Sequence, residues 1–74
     1  MKQRHYTPAE WVAIQFDGVK FLAIDLSLTY ATVWHWVNRG GGRIPSKHHL
    51  SILELAVERG LDVNCDDLVI GRTE

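Results

Sequence analysis

Helix stop and start signals recur so often along this chain that only short helices fit between them. In Tyr6-Thr7-Pro8-Ala9-Glu10-Trp11, Thr7 reads as an N-cap, Pro8 as the first helical residue and Glu10 as the return partner of a capping box. Tyr6 and Trp11 are spaced as a hydrophobic staple across that cap. Trp11 and Ile14, with Val12 and Phe16, then supply a buried stripe that Asp17-Gly18 stops. A second helix is predicted over residues 18–26, capped by Asp17. Val19, Leu22, Ala23 and Leu26 face inward there, while Lys20 and Asp25 stay in water. Ser27-Leu28-Thr29 breaks it.

Thr29 caps a third helix, with Leu28 and Val33 as its staple. Val33, Trp36 and Val37 lie on one face; Tyr30, Ala31, Trp34, His35 and Asn38 lie on the other. The helix ends at Gly40-Gly41-Gly42. Pro45 stands in the first turn of a fourth helix, whose inward stripe is Leu50, Leu53, Ala56 and Val57, widened by Ile52 and Leu55. Gly60 stops it. Leu61 and Val63 run extended to Asn64, which caps a last short helix with Asp67 reaching back. Leu68 and Ile70 are expected to anchor that turn. The expected fold is all-α, a compact domain of four to five helices, with an N-terminal arm (1–6), a domain (7–70) and a C-terminal tail (71–74).

With 74 residues the chain is one small domain that buries only ~60% of its unfolded surface, which disfavours a deep substrate cleft. Cys65 is the single cysteine and has no partner for an internal disulfide. No apolar run is longer than that of Phe21-Leu22-Ala23-Ile24, far short of the ~20 residues that span a membrane. Met1-Lys2-Gln3-Arg4-His5 has no apolar region behind it of the kind a secretory signal needs. The expectation is a soluble cytoplasmic domain.

The formal net charge of −1 hides a gradient. Residues 1–50 carry six basic and three acidic side chains, a balance of +3; residues 51–74 carry two basic and six acidic, a balance of −4. All four histidines lie in the first part. Such polarity lets a small protein present one face to phosphate while staying dispersed.

Two short helices, a three-residue turn and a polar-aromatic outer face on the second helix form the layout of a helix-turn-helix. In that layout the second helix enters the major groove of DNA. Ala23 is small where the helices cross. Leu28, Val33 and Trp36 are apolar where the second helix is fixed to the first. Thr29 caps the helix end that approaches phosphate.

Residues 21–36, Phe21-Leu22-Ala23-Ile24-Asp25-Leu26-Ser27-Leu28-Thr29-Tyr30-Ala31-Thr32-Val33-Trp34-His35-Trp36, resemble the helix-turn-helix of small Cro-like phage and prophage repressors. Gly42-Arg43-Ile44-Pro45, His49, Ile52-Leu53, Ala56, Gly60-Leu61 and Asp67-Leu68 resemble the C-terminal part of the same group, so the likeness covers about residues 10 to 70. Ser27 departs from it, standing where such turns usually carry glycine, at a strain of roughly 1 kcal/mol.

The resemblance implies a lambda-repressor-like domain that regulates transcription by occupying an operator on double-stranded DNA. It implies base-edge contacts from Tyr30, Ala31, Trp34, His35 and Asn38. Thr29, Lys20, Arg39, Arg43 and Lys47 would contact phosphate. It also implies a homodimer on a near-palindrome with half-sites ~34 Å apart, joined through the acidic and apolar C-terminal helices, in a bacterial or phage-infected cell. Gly-Arg-Ile-Pro also follows excisionase-type helices, which keeps a recombination accessory role open.

Other chemistry is poorly served. His48 and His49 are adjacent and point about 100° apart on a helix, with Cys65 distant, so no metal is expected. Gly40-Gly41-Gly42 lacks the lysine and preceding strand of a nucleotide loop; a helix stop or clearance beside a DNA backbone are its two readings. Asp66-Asp67 sits in a capping context, and no nucleophile–base pair stands out, so neither an enzyme nor a cofactor is expected. Trp34 divides between packing inside and contact outside. An exposed Tyr30 and Trp34, with no arginine between Tyr30 and Asn38, also suit a protein partner.

Overall fold

The first helix begins where Thr7 requires it. The Thr7 hydroxyl accepts a hydrogen bond from the Glu10 amide at 3.2 Å, and the Glu10 carboxylate accepts one from the Thr7 amide at 2.9 Å. The Tyr6 and Trp11 rings close the staple at 5.6 Å between centroids. The computed structural model describes residues 3–74; Met1 and Lys2, at the start of the expected arm, lie outside them. The order is β1 (His5–Tyr6), α1 (Pro8–Gln15), α2 (Val19–Asp25), α3 (Tyr30–Asn38), a 3-10 turn (Ser46–His48), α4 (His49–Arg59), α5 (Cys65–Val69) and β2 (Arg72–Thr73). The described residues are thus mostly helical, with five α-helices.

Three of the helices end in one way, and the residues used differ. After α1, the Gly18 amide donates to the Ala13 carbonyl at 2.7 Å and the Asp17 amide to Ile14 at 3.2 Å. After α2, Leu28 donates to Ala23 at 2.8 Å and Ser27 to Ile24 at 3.1 Å. After α4, Leu61 donates to Ala56 at 2.8 Å and Gly60 to Val57 at 3.3 Å. These paired bonds are Schellman caps, which need a left-handed residue at the turn. Gly60 fills that position at φ 68°, but Asp17 at 68° and Ser27 at 58° fill the other two. Asp17 is therefore the terminator of α1 and not the cap of α2, whose N-cap is Gly18 with no side-chain bond.

The core gathers around α1. Ala9, Val12, Ala13 and Phe16 are buried, an i, i+3, i+4, i+7 stripe. They meet Leu22 and Ala23 of α2, Val33 and Trp36 of α3, and Ile44, Ile52 and Leu68. Trp11 and Trp36 are both core residues, and the Trp11 indole N–H donates to the Asp62 carbonyl at 2.8 Å. Ile14 was expected inside and lies exposed, because the two alanines, not Ile14, share the inward face with Val12 and Phe16.

The expected inward stripe of α4 needs the same correction. Only Ile52 and Ala56 are buried, with Leu53 and Leu55 half-buried on the flanks. Leu50 is 68% and Val57 80% exposed, since at 100° per residue they stand about 140–160° around the helix from Ile52. Ile70 is likewise exposed, leaving Leu68 to anchor α5. The α5 capping box forms as expected, with the Asp67 amide donating to Asn64 at 3.1 Å and the Asn64 amide to Asp67 at 2.9 Å. Pro45 precedes the 3-10 turn, so α4 begins at His49.

The segments expected as arm and tail bind each other. β1 and β2 pair antiparallel, with His5 opposite Thr73 and Tyr6 opposite Arg72, and Arg4 and Glu74 exchange backbone bonds at 2.7 and 2.9 Å. The glycine triplet is also docked. Gly42 is buried at φ 76°, and a Cβ there would come 2.1 Å from the Thr7 Cβ. Its carbonyl accepts from the Ala9 amide at 2.9 Å. Gly42 thus seals the start of α1 and does not serve as loose clearance. Among the described residues no helix is long and apolar enough to cross a membrane.

Candidate nucleic-acid interface

The face of interest is the outside of α3. Thr29 caps the helix: its hydroxyl accepts from the Thr32 amide at 3.2 Å and lies 2.8 Å from the Thr32 hydroxyl. Val33 and Trp36 are buried against the core, Val37 half so, and α2 packs beside it through the buried Leu22 and Ala23. These contacts leave Tyr30, Ala31, Trp34, His35 and Asn38 exposed together, with Tyr30 at 55% and Trp34 at 39%. Periodicity alone left Trp34 divided between inside and outside; the structure puts it outside. Tyr30, Trp34 and Asn38 succeed one another at intervals of one turn. The Asn38 amide nitrogen donates to the Trp34 carbonyl at 3.0 Å, which spends one of its two donors within the helix.

Charge around this face is sorted by pairing. Of the basic residues, Arg4 pairs with Glu10, Arg59 with Asp25, and Arg72 with Asp62, Asp67 and Glu74. Lys20, Arg39, Arg43 and Lys47 are exposed, and among the described residues they form no ion pair. These four are the residues expected to hold phosphate, while the arginines outside that set are occupied by carboxylates.

Two of the four follow α3 directly in the chain. Arg39 is its C-cap, and Arg43 follows a turn closed by its own amide on the Gly40 carbonyl at 3.3 Å. The next segment folds back so that the His48 ring lies 5.2 Å from that of Trp36, and Lys47 precedes His48 in the 3-10 turn. Burial against the indole, with Lys47 and His49 adjacent, lowers the His48 pKa below its usual 6.5. His49 is committed elsewhere, its Nε2 donating to the Ile44 carbonyl at 2.9 Å. Lys20 is supplied separately, by the first turn of α2.

One sequence signal sharpens this face. From Leu26 to Leu53 the chain has no Asp or Glu, so neither α3 nor the loop after it carries a fixed negative charge. Thr29, the remaining expected phosphate contact, is exposed with its hydroxyl engaged in the cap. A helix start that leaves backbone N–H groups free is itself an anion-binding arrangement. Among the described residues no three His, Cys, Asp or Glu side chains are grouped to hold a metal ion.

Three of the aspartates are used in structure. Arg72 forks onto Asp62 at 2.9 and 3.1 Å and reaches Asp67 at 2.8 and 2.6 Å. These bonds pull the carboxyl pKa of Asp62 and of Asp67 below the usual range. Asp25, expected free in water, is half-buried and holds Arg59 at 2.5 and 3.0 Å. No family model matches the chain, and no curated protein or solved structure does.

Proposed function

We propose that this protein is a sequence-specific double-stranded DNA-binding regulator, a repressor of the phage or prophage kind that acts by occupying its operator. In this reading α2, the Ser27 turn and α3 work as a helix-turn-helix and α3 enters the major groove. The observation that carries it is the sorting of charge. Among the described residues Lys20, Arg39, Arg43 and Lys47 have no carboxylate partner and α3 carries no acid, while Arg4, Arg59 and Arg72 are each paired with a carboxylate. Unpaired cations release counterions when they meet phosphate, whereas an arginine already forked onto two carboxylates gains little from it.

Tyr30, Ala31, Trp34 and His35 reach base edges in this reading, with Ala31 or an aromatic ring against a thymine methyl and His35 donating. Asn38 offers adenine its carbonyl oxygen and its one free amide proton. Two copies on a near-palindrome read the two halves of the site. Such a regulator works in the cytoplasm beside the genome and needs no cofactor and no catalytic chemistry.

A second reading has one observation in its favour. Tyr30 and Trp34 are exposed together on a face with no lysine or arginine between them, which is also the composition of a protein-binding hot spot. Host-protein inhibition or a recombination accessory role would use it.

Titrating the protein against random and selected duplexes across a salt series separates the two. The DNA reading requires binding whose affinity falls by orders of magnitude between ~50 and ~200 mM salt. It also requires recovery of a common sequence from random duplexes. No duplex shift at the lowest salt ends it and leaves the protein-binding reading.

A further inference from the structure

A hollow of about 290 Å³ opens where segments distant in sequence meet. Pro8 at the start of α1, Arg43 and Ile44 of the loop after α3, His49 at the start of α4, and Leu68 and Val69 of α5 line it. Pro8, Ile44 and Leu68 are buried and make an apolar floor, while Val69, like Arg43, is exposed at the edge. No carboxylate lines the hollow.

Its polar groups are largely spent, with one exception. Pro8 has no N–H, and the next amide, that of Ala9, donates to the Gly42 carbonyl at 2.9 Å. His49 gives its Nε2 proton to the Ile44 carbonyl at 2.9 Å, which leaves the other nitrogen of the neutral ring an acceptor. Arg43 is the exception. Among the described residues its guanidinium makes neither an ion pair nor a hydrogen bond.

A free guanidinium beside an apolar floor selects a ligand with one anionic group and an apolar body. Apolar walls with a few polar groups that fix orientation are the common build of a small-molecule site. The planar fork of arginine matches a carboxylate in two parallel bonds. At ~30 Å³ for each non-hydrogen atom, the hollow holds about ten of them.

We propose that this hollow binds a small carboxylate with an aromatic or branched aliphatic body, its carboxylate held by Arg43. A ligand so held withdraws Arg43 from phosphate and loosens the protein from its operator. That consequence rests on the DNA reading above; the binding itself does not. The hollow is small and open, so the Kd is on the order of 1 mM, an ordinary efficiency per atom for a ligand of this size.

Amide NMR of the full chain without DNA tests the site, with benzoate as the probe at constant ionic strength. Benzamide supplies the same body without the charge, and acetate the charge without the body. Benzoate up to ~20 mM, twentyfold above that Kd, is expected to give saturable shifts at residues 43–44, 49 and 68–69. Benzamide binds about fivefold more weakly, and acetate does not saturate. Arg43→Gln brings benzoate down to the level of benzamide, and Val69→Glu, which tethers a carboxylate beside Arg43, abolishes its binding. Both positions are exposed, so an unchanged circular dichroism spectrum is expected of each variant. On a duplex, ~10 mM benzoate weakens binding about fivefold, and benzamide leaves it unchanged.

Shifts that fail to saturate, or that scatter over the surface, overturn the proposal. So does benzamide binding as tightly as benzoate, or benzoate affinity that survives Arg43→Gln. Benzoate seated in the hollow with duplex affinity unchanged overturns the release from the operator. If benzoate binds as described while no duplex is bound, the DNA reading fails and the site stands.

Discussion

The guanidinium of Arg72 lies 4.5 Å from the ring centre of Trp11 while it is forked onto Asp67. This one contact ties the C-terminal strand to the side of α1 and to the cap of α5, because Asp67 also holds the Asn64 amide.

That arrangement sets an acid limit on stability. The Asp62 and Asp67 carboxyls titrate below their usual 3.8 in the folded protein because Arg72 binds their charged forms. Their contribution is complete above about pH 4 and is lost as the pH falls through the lowered folded values. Thermal melts from pH 7 to pH 2 are expected to show this acid-side decline, and Arg72→Met to lower the neutral melting temperature and flatten the decline. His48 adds an earlier step. Its lowered pKa disfavours the charged ring in the folded state, so stability drops as the pH falls below 6.5. His48→Gln removes that step and leaves the carboxylate one.

Ser27 carries a strained turn at φ 58°. Left-handed backbone costs a residue with a Cβ roughly 1–2 kcal/mol, and glycine gives back about 0.5–1 kcal/mol of that in unfolded-state entropy. Ser27→Gly is therefore expected to stabilise the protein by about 0.5 kcal/mol in urea denaturation, and Ser27→Val to destabilise it. A destabilised glycine variant would mean that the serine side chain contributes something the turn geometry does not explain.

Removing the unpaired cations reports on phosphate contact. Arg39→Gln, Arg43→Gln and Lys47→Gln are each expected to weaken binding to every duplex and to lower the slope of log affinity against log salt by about 0.9. Arg59→Gln, whose partner is Asp25, leaves that slope unchanged and lowers stability instead. Fluorescence anisotropy across a salt series measures both.

The outer face of α3 carries sequence preference in the proposed reading. His35→Ala with Asn38→Ala is expected to lose about 1–3 kcal/mol on a selected site and almost nothing on random DNA. Equal losses on both duplexes would assign these side chains to the backbone and not to the bases.

Much of the local structure was legible. The Thr7, Thr29 and Asn64 caps form where their side chains stand in the sequence, because a cap is satisfied by residues two or three positions away. The outward face of α3 followed from Val33 and Trp36 at a helical interval. Asp17 was harder, since the same residue type serves as an N-cap and as a left-handed terminator. Only the carbonyls of the preceding turn decide between the two.

Which side of α4 is inside was not legible, because Leu50, Leu53 and Val57 make as regular a stripe as Ile52 and Ala56 do. The choice depends on what α1 and α5 present to it. The pairing of Arg4 with Glu74 and of Tyr6 with Arg72 joins residues at opposite ends of the chain, and no local pattern encodes such a contact. By itself the sequence determined the succession of five helices, the caps at Thr7, Thr29 and Asn64 and the outer surface of α3, since these depend on near neighbours and a 3.6-residue period. The tertiary structure alone decided which cations stay unpaired, which apolar stripe meets water and how the two ends close, because each is settled by partners distant in sequence.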